Sequence, residues 1–344
     1  MGVSGNLRRR VVVGVIPRWG SSFRRPYGSK PKADLKKLRP MIMRRLEGRA
    51  GDYPIQKMVP LAQEVLLSWN SLRHGVSEIL KAVPVSACKL CPEVYVGEKG
   101  HLINTCSGYK RMAKRYLHEW VSGGLTDILV PVEAFHLRTM FQDVIKHQER
   151  FDYDRTSAVV ELCWQAGADP RDERLYAGLS NSGTVLGKID DGEVASERDL
   201  MLTANRTLRA WETLRDGLQK LLLVYPAKVC KYCSEVHIGP SGHKARMCGV
   251  FKFESWRGGH FWQKARVDDL VPPKIVWHRR PQDPPVLVDE GKEYYGHAPA
   301  VVDLCVQAGA VPPVEYRCMM KTQGLAAPFK SDNEGSGRIY RSLS

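Results

Sequence analysis

The sequence has no apolar stretch of the length that a membrane-spanning helix requires, which is about 20 residues. It also lacks Asp and Glu throughout residues 1–33, where Arg alternates with Val, Ile, Trp and Ser. The apolar run Val11–Ile16 is too short to be the core of a secretory signal. We therefore expect a soluble protein whose residues 1–33 form an organelle transit peptide. The dominance of Arg favours a mitochondrial peptide over a chloroplast one, and a basic arm retained on the mature protein is the alternative.

The net charge of +15 is concentrated near the N-terminus. Residues 1–50 hold fourteen Lys and Arg against two acidic residues, and so account for +12 of it. Residues 34–57 are interpreted as a basic linker. Because the rest of the chain is close to neutral, its bulk charge says little about its partners.

Signatures of catalysis are also missing. The chain has no evident pair of catalytic carboxylates, nucleophile elbow or phosphate-binding loop. We expect no catalytic residue, no small-molecule substrate and no enzymatic activity.

An internal repeat organises the chain. Shifting the sequence by 142 positions superimposes one half on the other without a gap over about a hundred residues. A single register kept over this length indicates a tandem duplication. The matched pairs include Trp69 with Trp211, Gly75 with Gly217, Pro84 with Pro226, His118 with His260, Trp120 with Trp262, Asp127 with Asp269 and His136 with His278.

Each copy predicts the same series of elements. Apolar residues at helical spacing predict a long first helix, and a loop with short β-type runs follows it. A closing helix ends at a glycine. Copy one also predicts a helix over residues 132–149, which prolines would truncate in copy two. The long helices are predicted at 58–82 and 199–224, and the closing helices at 155–166 and 298–308.

Both copies carry the cysteine and histidine pattern C-x2-C-x9-H-x4-C. A C-x2-C pair forms a tight turn that directs two thiolates at one ion, and the His and third Cys complete a tetrahedron. Three thiolates and one imidazole suit Zn²⁺, and four protein ligands indicate a structural ion, so two structural zinc ions are predicted. The predicted ligands are Cys88, Cys91, His101 and Cys106 in copy one, and Cys230, Cys233, His243 and Cys248 in copy two.

Other uses of these residue types fit the pattern less well. Disulfides would need an oxidising compartment, and a C-x2-C redox pair would leave the His and third Cys unexplained. Cys163 and Cys305 fall on apolar helix faces and are interpreted as core residues. The repeated histidines outside the motif, His118, His260, His136 and His278, fit either phosphate contacts or structural hydrogen bonds.

These patterns together predict the domain boundaries and the fold class. Residues 58–170 and 199–325 are the two zinc repeats, 171–198 a linker and 326–344 a disordered tail. The predicted fold class is α+β and mostly helical: a tandem repeat of two helix-flanked zinc-binding modules with small β-hairpins.

Cationic and aromatic residues alternate after the histidine of each motif. Cations neutralise phosphates and exposed rings stack on unpaired bases, which favours single-stranded or irregular RNA over a duplex. The alternative is that the rings form a small core beneath each zinc loop. The predicted RNA-binding residues are Lys110, Arg111, Lys114, Arg115, Lys244, Arg246, Lys252 and Arg257.

The full motif, Cys-x-x-Cys-x-Glu-Val-x-x-Gly-x-x-Gly-His-x4-Cys at Cys88–Cys106 and Cys230–Cys248, resembles the APO domain of plant organelle proteins, a family named for accumulation of photosystem one. The resemblance covers about residues 55–320. It implies RNA binding and promotion of group II intron splicing, in a member more similar to mitochondrial than to plastid proteins. Copy one departs from the pattern at Tyr95 and at 102–104, where copy two has His237 and Lys244-Ala245-Arg246.

Two hypotheses follow. The first is a non-enzymatic, zinc-stabilised factor that binds organellar intron RNA, with other splicing factors as further candidate partners and no membrane. The second is an organellar ribosome-associated or protein-interaction scaffold whose zinc loops dock proteins.

Overall fold

The computed structural model of the protein describes residues 35–108, 117–173, 196–244 and 259–322. The chain divides into two compact units, Met1–Ile42 and Met43–Ser344. Helix α1 (Leu35–Ala50) is rich in basic residues, and both repeats lie in the second unit. None of the helices in the described ranges combines the length and the apolar character needed to cross a membrane.

The first repeat begins with the long helix α2 and ends with the short helix α4. A three-stranded and a two-stranded sheet lie between them in the chain. Its elements are α2 (Val59–Ile79), β1 (Val85–Cys88), β2 (Val94–Val96), β3 (Trp120–Ser122), α3 (Leu125–Ile128), β4 (Glu133–Phe135), β5 (Arg155–Ser157) and α4 (Ala158–Gln165).

The second repeat has the same elements in the same order, and one more short helix follows them. Its long helix begins at the N-cap Ser196, whose hydroxyl accepts a hydrogen bond from the amide of Asp199. The elements are α5 (Glu197–Val224), β6 (Ala227–Cys230), β7 (Val236–Ile238), β8 (Trp262–Lys264), α6 (Val267–Leu270), β9 (Ile275–His278), β10 (Gly296–Pro299), α7 (Ala300–Gln307) and α8 (Val314–Arg317).

Each repeat builds a three-stranded antiparallel sheet around its cysteine loop. The strand order is β2-β1-β3 in the first repeat and β7-β6-β8 in the second. Cys88 pairs with Trp120 and Cys230 with Trp262. This register brings the chain just before β3 or β8 beside the first cysteine of its loop.

The two long helices pack against each other along buried faces. Gly75 of α2 faces Thr207 of α5, and the equivalent Gly217 of α5 faces Val65 of α2. A Cβ atom at Gly75 would lie 2.0 Å from Thr207 Oγ1, and one at Gly217 would lie 2.3 Å from Val65 Cγ2. Since residue 207 is the repeat equivalent of residue 65, the glycines allow the same close approach twice.

The two repeats also contact each other near their cysteine loops. The amide of Leu102 donates to the carbonyl of Leu287 at 2.8 Å, and the amide of Lys244 donates to that of Ile145 at 2.9 Å. These two bonds are equivalent under the 142-residue shift. Each cysteine loop is therefore hydrogen-bonded to the segment between the last two strands of the other repeat.

The predicted helix over 132–149 is wrong. Its first residues form β4, which pairs with β5. Beyond β4, side chains of α4 accept the backbone donors that a helix would use internally. Glu161 accepts the amide of Leu137 at 3.0 Å, and Gln165 accepts that of Met140 at 2.9 Å.

The other predicted helices are confirmed, although the closing helices begin a little later than expected. Strands form at both short β-type runs, 94–96 and 236–238. Helix makes up only about 41% of the structure, so the expectation of a mostly helical chain is too high. Most of the predicted linker and all of the predicted tail lie outside the described residues.

Candidate metal centres

Three thiols and one imidazole converge at the first cysteine loop. The ligand atoms of Cys88, Cys91, Cys106 and His118 all lie within 4.8 Å of one another. The turn after β1 places the first two cysteines, and the register of β3 places His118. Cys91 Sγ lies 3.4 Å from His118 Nδ1.

The second loop repeats this arrangement among its described residues. The ligand atoms of Cys230, Cys233 and His260 lie within 4.8 Å of one another, with Cys233 Sγ 3.4 Å from His260 Nδ1. Cys248, the predicted third thiol, lies outside the described residues. The two centres thus agree in every ligand that can be compared.

The structure differs from the prediction at the histidine of each motif. His101 is fully buried, and instead of joining the thiols it lies with Glu93 and His118. Its Nε2 is 2.9 Å from a Glu93 carboxylate oxygen, and its Nδ1 accepts the amide of Ile103. Both ring nitrogens are therefore already engaged.

His243 of the second repeat shows the same difference. It groups with Glu235 and His260 rather than with the cysteines, and it is buried. Burial, together with the neighbouring His260, lowers its pKa to about 3. His118 and His260, rather than His101 and His243, lie beside the thiols, and spacing in the sequence did not reveal this.

A glutamate lies next to the second ring nitrogen of each candidate ligand histidine. Nε2 of His118 lies 3.3 Å from a carboxylate oxygen of Glu93 and 2.9 Å from Thr105 Oγ1. In the second repeat, Nε2 of His260 lies 3.7 Å from Glu235. A carboxylate on the far nitrogen fixes the orientation of a metal-binding imidazole and increases its basicity.

These glutamates also link each centre to the other repeat. Trp277 Nε1 donates to Glu93 at 3.0 Å, and Arg155 Nη1 donates to Glu235 at 3.3 Å. Burial alone would raise the pKa of Glu93, but hydrogen bonds with His101 and Thr105 outweigh it and lower the pKa. Each centre is therefore braced by a side chain that its own repeat does not supply.

The first thiol of each loop, Cys88 or Cys230, has a pKa below its usual value, because backbone hydrogen bonds to the sulfur outweigh burial. Burial raises the pKa of Cys91 to about 12, reinforced by the neighbouring thiols Cys88 and Cys106. Burial acts in the same direction on Cys230, but backbone hydrogen bonds, those of Cys233 and Tyr232 first, outweigh it and lower the pKa to about 6. Backbone donors directed at sulfur favour the thiolate, the form that binds a metal.

The donor set fits zinc. Zn–S bonds of about 2.3 Å and Zn–N bonds of about 2.1 Å in a tetrahedron separate the donors by roughly 3.6 Å. The 3.4 Å between thiol and imidazole in both repeats is close to that spacing. An amide also donates to sulfur in the first loop, from Leu90 to Cys88 at 3.4 Å.

Comparison with known proteins identifies the family of this duplicated chain. The sequence model described as APO RNA-binding matches this chain twice, over residues 27–173 and 189–326. The chain belongs to the APO RNA-binding family. No solved structure matches it.

Curated relatives agree with this assignment. APO protein 2, chloroplastic, of Arabidopsis thaliana is 37% identical over 297 residues, which cover 78% of this chain and 68% of the relative. APO protein 1, chloroplastic, of the same plant is 35% identical over 320 residues, covering 83% and 73%. APO protein 3, mitochondrial, also from Arabidopsis thaliana, is 36% identical over 342 residues, covering 89% and 84%.

One tryptophan of each APO repeat packs beneath the cysteine loop. Trp120 Nε1 donates to the carbonyl of His101 at 3.0 Å, and a Cβ at Gly100 would lie 2.2 Å from the indole. The ring of Trp120 stacks on His118, with centroids 4.7 Å apart. Trp262 repeats these contacts, so for these two rings the structural interpretation is confirmed.

One of the eight predicted RNA-binding residues lies within the described part of the APO repeats. Lys244 is described and exposed. The other predicted residues lie outside the described ranges, namely Lys110, Arg111, Lys114, Arg115, Arg246, Lys252 and Arg257.

The remaining repeated polar residues are structural. His136 Nδ1 lies 2.7 Å from Glu161, and His278 Nδ1 lies 2.5 Å from Asp303. Both carboxylates are fully buried, as are Cys163 and Cys305, whose pKa values burial raises. The sequence reading missed these acids, although one acid at the same place in two apolar helices was a usable signal.

Proposed function

We propose that this protein is a non-enzymatic RNA-binding factor of plant organelles, stabilised by two structural zinc ions. The observation that carries the proposal is the doubled domain: an RNA-binding family model matches both repeats, each built around a thiol–imidazole cluster. A side chain of each repeat contacts the glutamate behind the other repeat's cluster, so we expect the two repeats to bind RNA together.

The ligand set we propose departs from the sequence motif in its histidine. Cys88, Cys91, Cys106 and His118 would hold the first ion. Cys230, Cys233, Cys248 and His260 would hold the second, by equivalence. Zinc would supply four strong bonds that fix each loop, and the protein's own Glu93 and Glu235 orient the imidazoles. Structural zinc is worth about 10–16 kcal/mol in small modules, so the loops would depend on it for folding.

Metal content of purified variants tests the ligand set. The wild-type chain should carry two zinc ions, and His118→Ala should reduce this to one. His101→Gln is the matched control, because it keeps a polar side chain of related size next to Glu93, and it should retain both ions. Loss of zinc from His101→Gln but not from His118→Ala would refute the proposed set.

Relatives named as chloroplastic and mitochondrial support an organellar location, and the Arg-rich, acid-free residues 1–33 favour the mitochondrion. Group II intron RNA is the substrate we propose, since such RNA presents the irregular single-stranded segments that stacking rings and cations recognise. The protein would promote splicing by holding that RNA in a folded arrangement.

RNA recovered with a tagged copy from organelle extract tests this function. Enrichment of intron sequences supports the splicing role and identifies the transcripts. Recovery of ribosomal RNA alone would favour the ribosome-associated alternative. RNA recovery no greater than that of a variant with Cys230→Ser and Cys233→Ser would contradict RNA binding.

A further inference from the structure

The tip of each metal loop is formed by three residues. Two of them lie between the paired cysteines, and the third precedes β3 or β8. The first-loop tip consists of Lys89, Leu90 and Glu119, and the second-loop tip of Lys231, Tyr232 and Phe261.

One backbone hydrogen bond is shared by both tips. The amide of Lys89 donates to the carbonyl of Glu119 at 2.9 Å, and the amide of Lys231 donates to that of Phe261 at 2.9 Å. Residues 89 and 119 are therefore held together in the same way as residues 231 and 261, and the side chains at these positions differ.

The first-loop tip is electrostatically closed. Lys89 Nζ lies 2.8 Å from a carboxylate oxygen of Glu119, with both side chains largely in solvent. This pair neutralises its own cation, and Leu90 offers no ring. An anionic polymer would have to displace the glutamate to reach the lysine.

The second-loop tip is aromatic, and Phe261 is its exposed ring. The side chain of Phe261 is 53% exposed, and its ring lies 6.1 Å from that of Tyr232. Lys231 Nζ is 5.9 Å from the Phe261 ring centre, and among the described residues no carboxylate pairs with it. A single exposed ring is ordinary on a protein surface, but here it replaces the acid that closes the other tip.

The neighbouring strands add cations on the same sheet. Lys228 of β6 is directly opposite Lys264 of β8, whereas the equivalent pair in the first repeat is Ser86 and Ser122. Like charges at paired positions destabilise a sheet, so this pair is not explained by stability. A polyanion lying along these strands would relieve the repulsion.

We infer that the second-loop tip is a stacking site for an unpaired RNA base, with the adjacent phosphates held by Lys231, Lys228 and Lys264. The first repeat lacks this site, so the two repeats contribute unequally to RNA. The inference rests on the proposed RNA-binding function and assigns a specific part of it to Phe261 and Tyr232.

Binding of the zinc-loaded full chain to a fluorescent, unstructured 20-nucleotide RNA tests the site. Phe261→Leu keeps apolar volume but removes the ring, and should weaken binding about tenfold, the order expected for one stacked base. Phe261→Glu recreates the closed tip of the first repeat and should weaken it further. Lys231→Ala should lower the salt dependence of log K by about 0.7.

Two further measurements separate stacking from a general loss of binding. A 2-aminopurine in the RNA should be quenched by the wild-type protein and less so by Phe261→Leu. The double variant Leu90→Tyr, Glu119→Phe should bind more tightly than wild type, because it opens the first tip. Unchanged zinc content confirms that each variant is folded.

The outcomes distinguish this site from the function on which it rests. If wild type binds the RNA and both Phe261 variants bind it equally well, the stacking site is refuted while RNA binding stands. If wild type binds no RNA, the proposed function fails as well. If the Phe261 variants keep RNA affinity but lose a protein partner from organelle extract, the tip is a protein-docking surface and the inference is wrong.

Discussion

The crossing of the two long helices gives the most direct quantitative prediction. In Gly217→Ala the new Cβ would lie 2.3 Å from Val65 Cγ2, whereas relaxed carbon contacts are about 3.5–4.0 Å. Val65 is fully buried, so relief requires movement of the helices by about 1 Å or more. Overpacking of this kind costs about 1–3 kcal/mol, and alanine recovers up to about 1 kcal/mol in helix propensity. We expect a net loss of about 1–2 kcal/mol.

A double-mutant cycle isolates the contact. Val65→Ala alone should cost about 2 kcal/mol, because it removes two buried methyl groups and leaves a cavity. In the combined variant the new methyl occupies that space, and the next atom, Leu61 Cδ1, is 3.7 Å away. The double variant should therefore be more stable than the sum of the single changes by about 1 kcal/mol or more.

Thermal and urea unfolding followed by circular dichroism provide the assay, with about 2–4 °C expected per kcal/mol. Gly48→Ala is the matched control, since it is helical and a Cβ there meets nothing within 4 Å. It should be neutral or stabilising. A stabilised Gly217→Ala, or strictly additive effects in the cycle, would refute close packing of α2 on α5.

Three further predictions concern buried acids and the link between repeats. Burial, and then a hydrogen bond with Glu315, raises the pKa of Glu212 to about 7. Between pH 4.5 and 7 the carboxyl group is therefore protonated more in the folded than in the unfolded state. The free energy of unfolding should fall as the pH rises through this range. Glu212→Gln should flatten that decline in melting temperature, and an unchanged slope would exclude Glu212 as its source. Glu161→Ala should destabilise the chain by about 2–4 kcal/mol in urea unfolding, because it leaves several buried donors unpaired, whereas Glu161→Gln should cost less. Trp277→Phe removes the hydrogen bond to Glu93 and should weaken zinc binding at the first centre about tenfold, measured by competition with a chromogenic chelator. Equal loss of zinc from both centres would show that Trp277 does not act through Glu93.

Much of the architecture could be predicted from the sequence because it depends on local pattern. The apolar spacing in 58–82 and 199–224 is sufficient for helices α2 and α5, and the paired cysteines are sufficient for tight turns. The constant shift of 142 residues shows that the two copies share one series of elements. Family membership was likewise readable from the Cys88–Cys106 motif, and the comparisons confirm it.

Expectation and structure differ where a segment distant in the sequence contacts a residue. The sequence after β4 predicts a helix, but two of its backbone amides donate to Glu161 and Gln165 of α4 instead. His101 has suitable spacing for the fourth ligand, yet it is engaged by Glu93 and by the amide of Ile103. His118 reaches the thiols instead, because the register of β3 on β1 brings it there.

The sequence by itself determined the duplication, the helix pattern, the cysteine loops and the family. Tertiary structure decided which histidine faces the thiols and that each loop is braced by the other repeat, through Trp277 on Glu93 and Arg155 on Glu235. The physical reason is range. Periodicity and motif spacing encode interactions a few residues apart, whereas the ligand set and the braces depend on partners that only strand pairing and helix packing bring together.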